Sequence, residues 1–134
     1  MKHLLNIFIL FCCIQMVHAG DGIAFTNTSF DNVVSKAKSQ GKLVFLDFTA
    51  SWCSPCKQMD RETFSNKTVG DFMNKHFVSF KVDNDFFWGM DIAEKYNVKA
   101  LPTLLIMDAN GNVVKRIVGF QTVETLLSEL KPLL

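Results

Sequence analysis

Leu43-Val44-Phe45-Leu46-Asp47-Phe48-Thr49-Ala50-Ser51-Trp52-Cys53-Ser54-Pro55-Cys56-Lys57 is the stretch on which the fold turns. Its first half is a short continuous apolar run, the pattern of a central strand covered on both faces. Its second half holds two cysteines separated by two residues, where that strand hands over to a helix. Pro55 fits the first helical turn, where a missing N–H costs nothing. A thiolate at Cys53 would face the free N–H groups and positive end of that helix, which lowers a thiol pKa and supplies a nucleophile. Cys56, one turn further in, is expected to be more covered. Cys53 would then attack a partner disulfide and Cys56 would resolve the mixed disulfide. Taken alone, the pair also fits an inert structural disulfide or half a zinc site. Tetrahedral zinc needs four ligands, and beyond residue 19 the sequence offers only Cys53, Cys56 and His76 of the cysteines and histidines.

Hydrophobic period organises the rest. Phe30, Val33, Val34 and Ala37 recur at helical spacing, with Ser29 as a cap and Gly41 as a stop. Lys57 to Glu62 favours helix, Ser65 or Asn66 interrupts it, and a second helical stretch runs to Lys75. Phe77 to Val82 reads as a strand and Asp91 to Tyr96 as a short helix. Thr103 to Met107 and Val113 to Val118 flank Asn110-Gly111, a hairpin signal because both residues tolerate positive φ. Val123, Leu126, Leu127 and Leu130 close the chain as an amphipathic helix. The order helix, strand, helix, strand, helix, strand, strand, helix predicts an α/β fold of three layers, with a central mixed sheet flanked by helices.

The 134-residue chain opens with a segment of different character. Lys2 supplies a positive start, Ile7 to Ile14 is unbroken apolar sequence, and Val17-His18-Ala19 places a small residue at a cut site. Residues 1–19 therefore read as an export signal peptide, and 20–134 as one domain. The apolar run is shorter than the roughly 20 residues that span a bilayer, although an uncleaved signal would serve as an anchor. Cys12 and Cys13 belong to this segment as apolar filler. Export would place the domain in the periplasm or outside the cell, where disulfides persist. Setting Lys2 aside from the 14 basic residues leaves 13 against 13 acidic ones. A net charge of zero argues against nucleic-acid binding driven by bulk charge. One close cysteine pair cannot staple distant loops, which excludes a disulfide-clamped miniprotein.

The chain resembles the thioredoxin superfamily. The resemblance rests on Phe45 to Lys57, Val82-Asp83, Ala100-Leu101-Pro102-Thr103 and Gly119, and covers the region after residue 19 in order. It looks closest to exported domains such as the C-terminal periplasmic domain of DsbD-type thiol:disulfide interchange proteins, through Lys57-Gln58-Met59 to Thr63-Phe64 and Phe77-Val78 to Lys81-Val82-Asp83. The resemblance implies a thioredoxin fold and dithiol–disulfide exchange at Cys53 and Cys56, without metal or organic cofactor. Asp47 matches the buried acid that relays a proton to or from Cys56; burial raises a carboxylate pKa, which suits a relay. At a strand end, the same carboxylate could instead face water. Pro102 matches the family's cis-proline, which with Leu101 and Pro55 borders the substrate segment. Trp52 matches the aromatic that shields the site, or serves as packing. Lys57 would stabilise a thiolate or stand solvated on its helix.

Ser54-Pro55 departs from the Gly-Pro of ordinary thioredoxins, and no histidine lies between the cysteines as in the strongly oxidising DsbA type. The expected function is therefore an exported oxidoreductase, a reductant rather than an oxidant. Its partners would be protein thiols and disulfides, with a membrane reductase as a candidate donor, and it would act as a monomer. The alternative is a binding or chaperone module of the same fold with a structural disulfide. Asp85-Phe86-Phe87-Trp88-Gly89 lies outside the resemblance: either Phe86 or Trp88 turns inward, or the loop docks a partner. His76 reads as a surface or capping residue.

Overall fold

A computed structural model describes residues 20–134; the proposed signal and its cut near Ala19 lie outside the described residues. Helix α1 (Phe30–Gln40) starts at Ser29, whose hydroxyl accepts from Asn32 N, and stops at Gly41 in the left-handed region. Strand β1 (Leu43–Thr49) follows, then α2 (Ser54–Met59), a π-helical turn (Asp60–Phe64) and α3 (Lys67–His76), which is capped by Asn66. Next come β2 (Phe77–Asp83), α4 (Phe87–Lys95), β3 (Thr103–Met107), β4 (Val113–Val118) and α5 (Val123–Leu130).

The sheet order is β2-β1-β3-β4, with β1 parallel to β2 and antiparallel to β3, and β3 antiparallel to β4. Because strand side chains alternate between faces, β1 feeds two cores. Val44, Leu46 and Phe48 pack with Val33 and Ala37 of α1 and Ala93 of α4. Phe45 points the other way, against Met59, Val69, Met73, Leu126 and Leu130. Helices on both sides of a mixed sheet give the expected three layers. Among the described residues, no helix is long and apolar enough to cross a membrane.

Strand β4 forms an edge. Only Ile117 is buried in it, while Val113, Val114 and Val118 are exposed. Lys115 pairs with Glu129, and Arg116 donates to Tyr96 O at 2.6 Å.

Three local expectations need correction. The helix after Cys56 does not run regularly to Glu62; a π-helical turn from Asp60 to Phe64 widens it before Ser65 ends it. At the β3–β4 turn, Gly111 takes positive φ (84°) but Asn110 does not. Asp108 shapes that turn instead, its carboxylate accepting from Asn110 N and Asn112 N at 2.9 Å each. Helix α4 begins at Phe87 rather than Asp91, so the aromatic run is its cap and first turn, not a loop.

Gly89 permits that early start. A Cβ there would lie 1.9 Å from Asp83 O and 2.6 Å from Asp83 C, so only glycine lets the helix approach the end of β2. Gly89→Ala should cost about 1–3 kcal/mol in urea unfolding, the usual cost of overpacking. An unchanged midpoint would show that the contact is loose.

Candidate active site

Strand β1 delivers the chain to the cysteines through Ala50, Ser51 and Trp52, and Cys53 is the N-cap of α2 in extended conformation. Its sulfur accepts from Cys56 N at 3.3 Å, so a capping N–H already points at the atom that would carry a thiolate's charge. Pro55 sits in the first turn of α2, as its missing donor allows. Cys53 and Cys56 are joined, with Cα atoms 5.3 Å apart.

The expected difference in cover is not found: Cys53 is 3% exposed and Cys56 2%. Ala50 and Leu101 cluster with the oxidised pair, and both cysteines are buried. What distinguishes the cysteines is the capping position of Cys53. Trp52, which precedes Cys53, is 73% exposed.

The Leu101–Pro102 peptide is cis. Thr103 Oγ1 donates to Ala100 O at 2.7 Å, and Gly119 N donates to Pro102 O at 2.9 Å. These bonds hold the loop that carries Leu101 to the disulfide. Lys57 is exposed and makes no ion pair among the described residues.

Asp47 shares the face of β1 that carries Phe45, and is buried. Its cross-strand neighbour in the parallel register is Lys81, whose ammonium lies 2.7 Å from Asp47 Oδ2 and 2.6 Å from Asp60 Oδ1. That ammonium also sits over the rings of Phe25 and Phe64, 4.5 and 5.3 Å from their centroids. Burial pushes the Asp47 carboxyl above its ordinary value, and Lys81 draws it only part of the way back. Lys81 also loses water, which alone would lower its pKa, but Asp47 and Asp60 outweigh that loss and hold it above the usual lysine value.

Lys81 and Asp60 were not singled out from sequence. A faint signal existed: Lys81 interrupts an apolar strand, and Asp60 lies one helical turn beyond Cys56. Asp85 was missed too. Its carboxylate accepts from Ser51 N at 2.8 Å, a bond that holds its pKa down, and Asn84 N donates to Thr49 O at 2.8 Å. The redox loop is thereby tied to the turn that opens α4. His76 ends α3 and packs on Phe72, 5.2 Å between ring centroids.

A family model for the thioredoxin-like domain matches residues 30–133. A thioredoxin H-type of Fagopyrum esculentum is 42% identical over 93 residues, covering 68% of this chain and 72% of that protein. The thiol:disulfide interchange protein DsbD of Yersinia pestis (strain Pestoides F) is 34% identical over 98 residues, covering 71% of this chain but 16% of DsbD. Among solved structures, a candidate disulphide-isomerase from Bacteroides thetaiotaomicron superposes with a TM-score of 0.74 at 39% identity, over 84% of this chain and 93% of that one.

Proposed function

The chain belongs to the thioredoxin-like family, a thiol–disulfide oxidoreductase with Cys53–Cys56 at the redox-active position, and from that premise we propose that it is an exported reductant of protein disulfides. The observation that carries this reading is the joined cysteine pair at a helix N-terminus, packed with Leu101 of the cis-proline loop and reached by the strand that carries a buried carboxylate.

In the reaction, the Cys53 thiolate attacks one sulfur of a substrate disulfide. The Cys53–substrate bond forms, the substrate S–S bond breaks, and the first substrate sulfur leaves as a thiolate. Cys56 then loses its proton, with Asp47 as acceptor, and attacks Cys53 Sγ. The Cys53–Cys56 bond forms and the second substrate thiolate leaves. Two electrons pass to the substrate, so a dithiol donor, for which a membrane reductase is suited, must restore the pair. No metal or organic cofactor takes part. Pro55, Leu101 and Pro102 border the substrate segment, Trp52 offers it an exposed aromatic, and Lys57 adds positive charge near the leaving thiolates.

Export is supported by Lys2, the apolar run Ile7 to Ile14 and Ala19. The reducing direction is supported by the absence of histidine between the cysteines. The test is equilibration of the pair with glutathione. A reduction potential near about −270 mV fits a reductant, whereas one near about −120 mV would reverse the direction. Failure to reduce insulin disulfides with dithiothreitol as donor would leave a binding module with a structural disulfide.

A further inference from the structure

An apolar cleft of about 380 Å³ opens between the start of α1 and the first turns of α4. Phe30, Phe80, Trp88 and Ile92 form its apolar lining, and the exposed carboxylates of Asp31 and Asp91 stand at it. Trp88 packs on Phe80 at 6.0 Å between centroids, and stacks on Phe86 at 6.3 Å with the planes 13° apart. Even so, Phe86 stays 55%, Phe87 83% and Trp88 44% exposed. Neither Phe86 nor Trp88 has turned fully inward, and a cluster of exposed aromatics this dense marks an interaction surface.

A chain of contacts links the cleft to the redox loop. Trp88 stacks on Phe86, Phe86 follows Asp85, and Asp85 holds Ser51 N two residues before Cys53. Asp31 and Asp91 stand at the cleft, and Asp85 lies on that path within the field of Lys57. Lys95 sets its ammonium over Phe30 and Tyr96 at 5.7 and 5.4 Å, one cation against the two carboxylates that line the cleft, which leaves a net acidic margin.

We infer that this cleft is a substrate-selecting subsite, which takes a large apolar side chain flanked by lysine or arginine on the polypeptide whose disulfide is to be reduced. The subsite rests on the reductant reading and narrows its substrates. An aromatic floor supplies affinity through burial of an anchor side chain, and the acidic margin selects by complementarity. A chain with a formal net charge of only +1 thereby acquires a preference that this charge does not reveal.

The test uses the full chain, reduced, and three peptides. Each carries a single cysteine as its mixed disulfide with glutathione, preceded by Lys-Leu-Phe-Lys, Glu-Leu-Phe-Glu or Lys-Ser-Ser-Lys. Second-order reduction rates are divided by the rate with bis(2-hydroxyethyl) disulfide. The first peptide should lead the other two by about tenfold. Trp88→Ser should erase the lead. Asp91→Lys, an exposed change that spares the fold, should turn the preference toward the Glu-Leu-Phe-Glu peptide. Equal ratios for the three peptides, or an Asp91→Lys protein with the original preference, would overturn the subsite. Binding of the same peptides with serine for cysteine, followed by fluorescence anisotropy, decides the subsite even if no disulfide is reduced, when only the reductant reading falls. Should sedimentation show a dimer that Trp88→Ser dissociates, the cleft is a contact between copies and the inference fails.

Discussion

Cys53→Ser should slow insulin reduction by roughly a thousandfold or more, the scale expected when the nucleophile of a covalent mechanism is lost. A serine hydroxyl stays protonated at neutral pH and cannot form the bond that exchange requires. Cys56→Ser should behave differently. It keeps the attacking sulfur at the cap of α2 and loses the group that resolves the intermediate, so the reaction stops at a Cys53–substrate disulfide. Under non-reducing electrophoresis this variant should therefore accumulate a covalent adduct with a disulfide protein, and Cys53→Ser should not. An adduct on Cys53→Ser would reverse the two roles. Full insulin activity in Cys53→Ser would remove the redox assignment altogether. The distinction is informative because the two cysteines are equally buried in the oxidised pair, so their roles must come from position rather than exposure.

Lys81→Met should cost about 2–3 kcal/mol at pH 7. Removing one partner of a buried ion pair typically costs about 3–5 kcal/mol, and the lower figure reflects a Lys81 side chain that keeps 33% of its surface in water. The sign of the pH dependence separates charge from packing. The folded pKa of Asp47 is raised above the ordinary carboxyl value of 3.8, so the native state holds its proton more tightly than the unfolded chain. Stability then falls as pH rises through the interval between 3.8 and that raised value. Lys81 is raised above 10.5, so its contribution is present below 10.5 and is lost as pH climbs through its folded pKa. The gap between wild type and Lys81→Met should therefore be small near pH 3, below the ordinary carboxylate value of 3.8 above which Asp47 is raised, and wider at pH 7. Asp47→Asn removes a carboxylate whose ionisation opposes folding. It should be at least as stable as wild type at pH 7, yet slower in the resolving step. Urea unfolding of both variants at pH 3 and 7 checks these signs, and a pH-independent loss in Lys81→Met would reduce Lys81 to a packing residue.

What the sequence made legible follows where its signals are local. Ser29, Gly41 and Asn66 mark helix ends by capping chemistry that needs no tertiary partner. The strands from Phe77, Thr103 and Val113 announce themselves by composition, and Cys53, Cys56 and Pro102 by spacing and resemblance. The early start of α4 was hidden because Phe86 caps it without a side-chain hydrogen bond. It depends instead on Gly89 fitting against Asp83, a contact between elements. Lys81 was hidden for a related reason: its meaning comes from standing opposite Asp47 in a parallel register, which no local pattern specifies. Asp60 reaches Lys81 from the start of a π-helical turn that periodicity reads as ordinary helix.

The outer strand β4 carries a consequence for how the protein survives at high concentration. Val113, Val114 and Val118 present an exposed β-branched ribbon on an open sheet edge, the template on which foreign strands add and fibrils grow. Lys115 and Arg116 interrupt that ribbon, one anchored to Glu129 and the other to the backbone of Tyr96. They act as gatekeepers, since stacking copies edge to edge would crowd like charges together. Colloidal stability in a chain whose formal net charge is only +1 thus depends on two cations on a single strand.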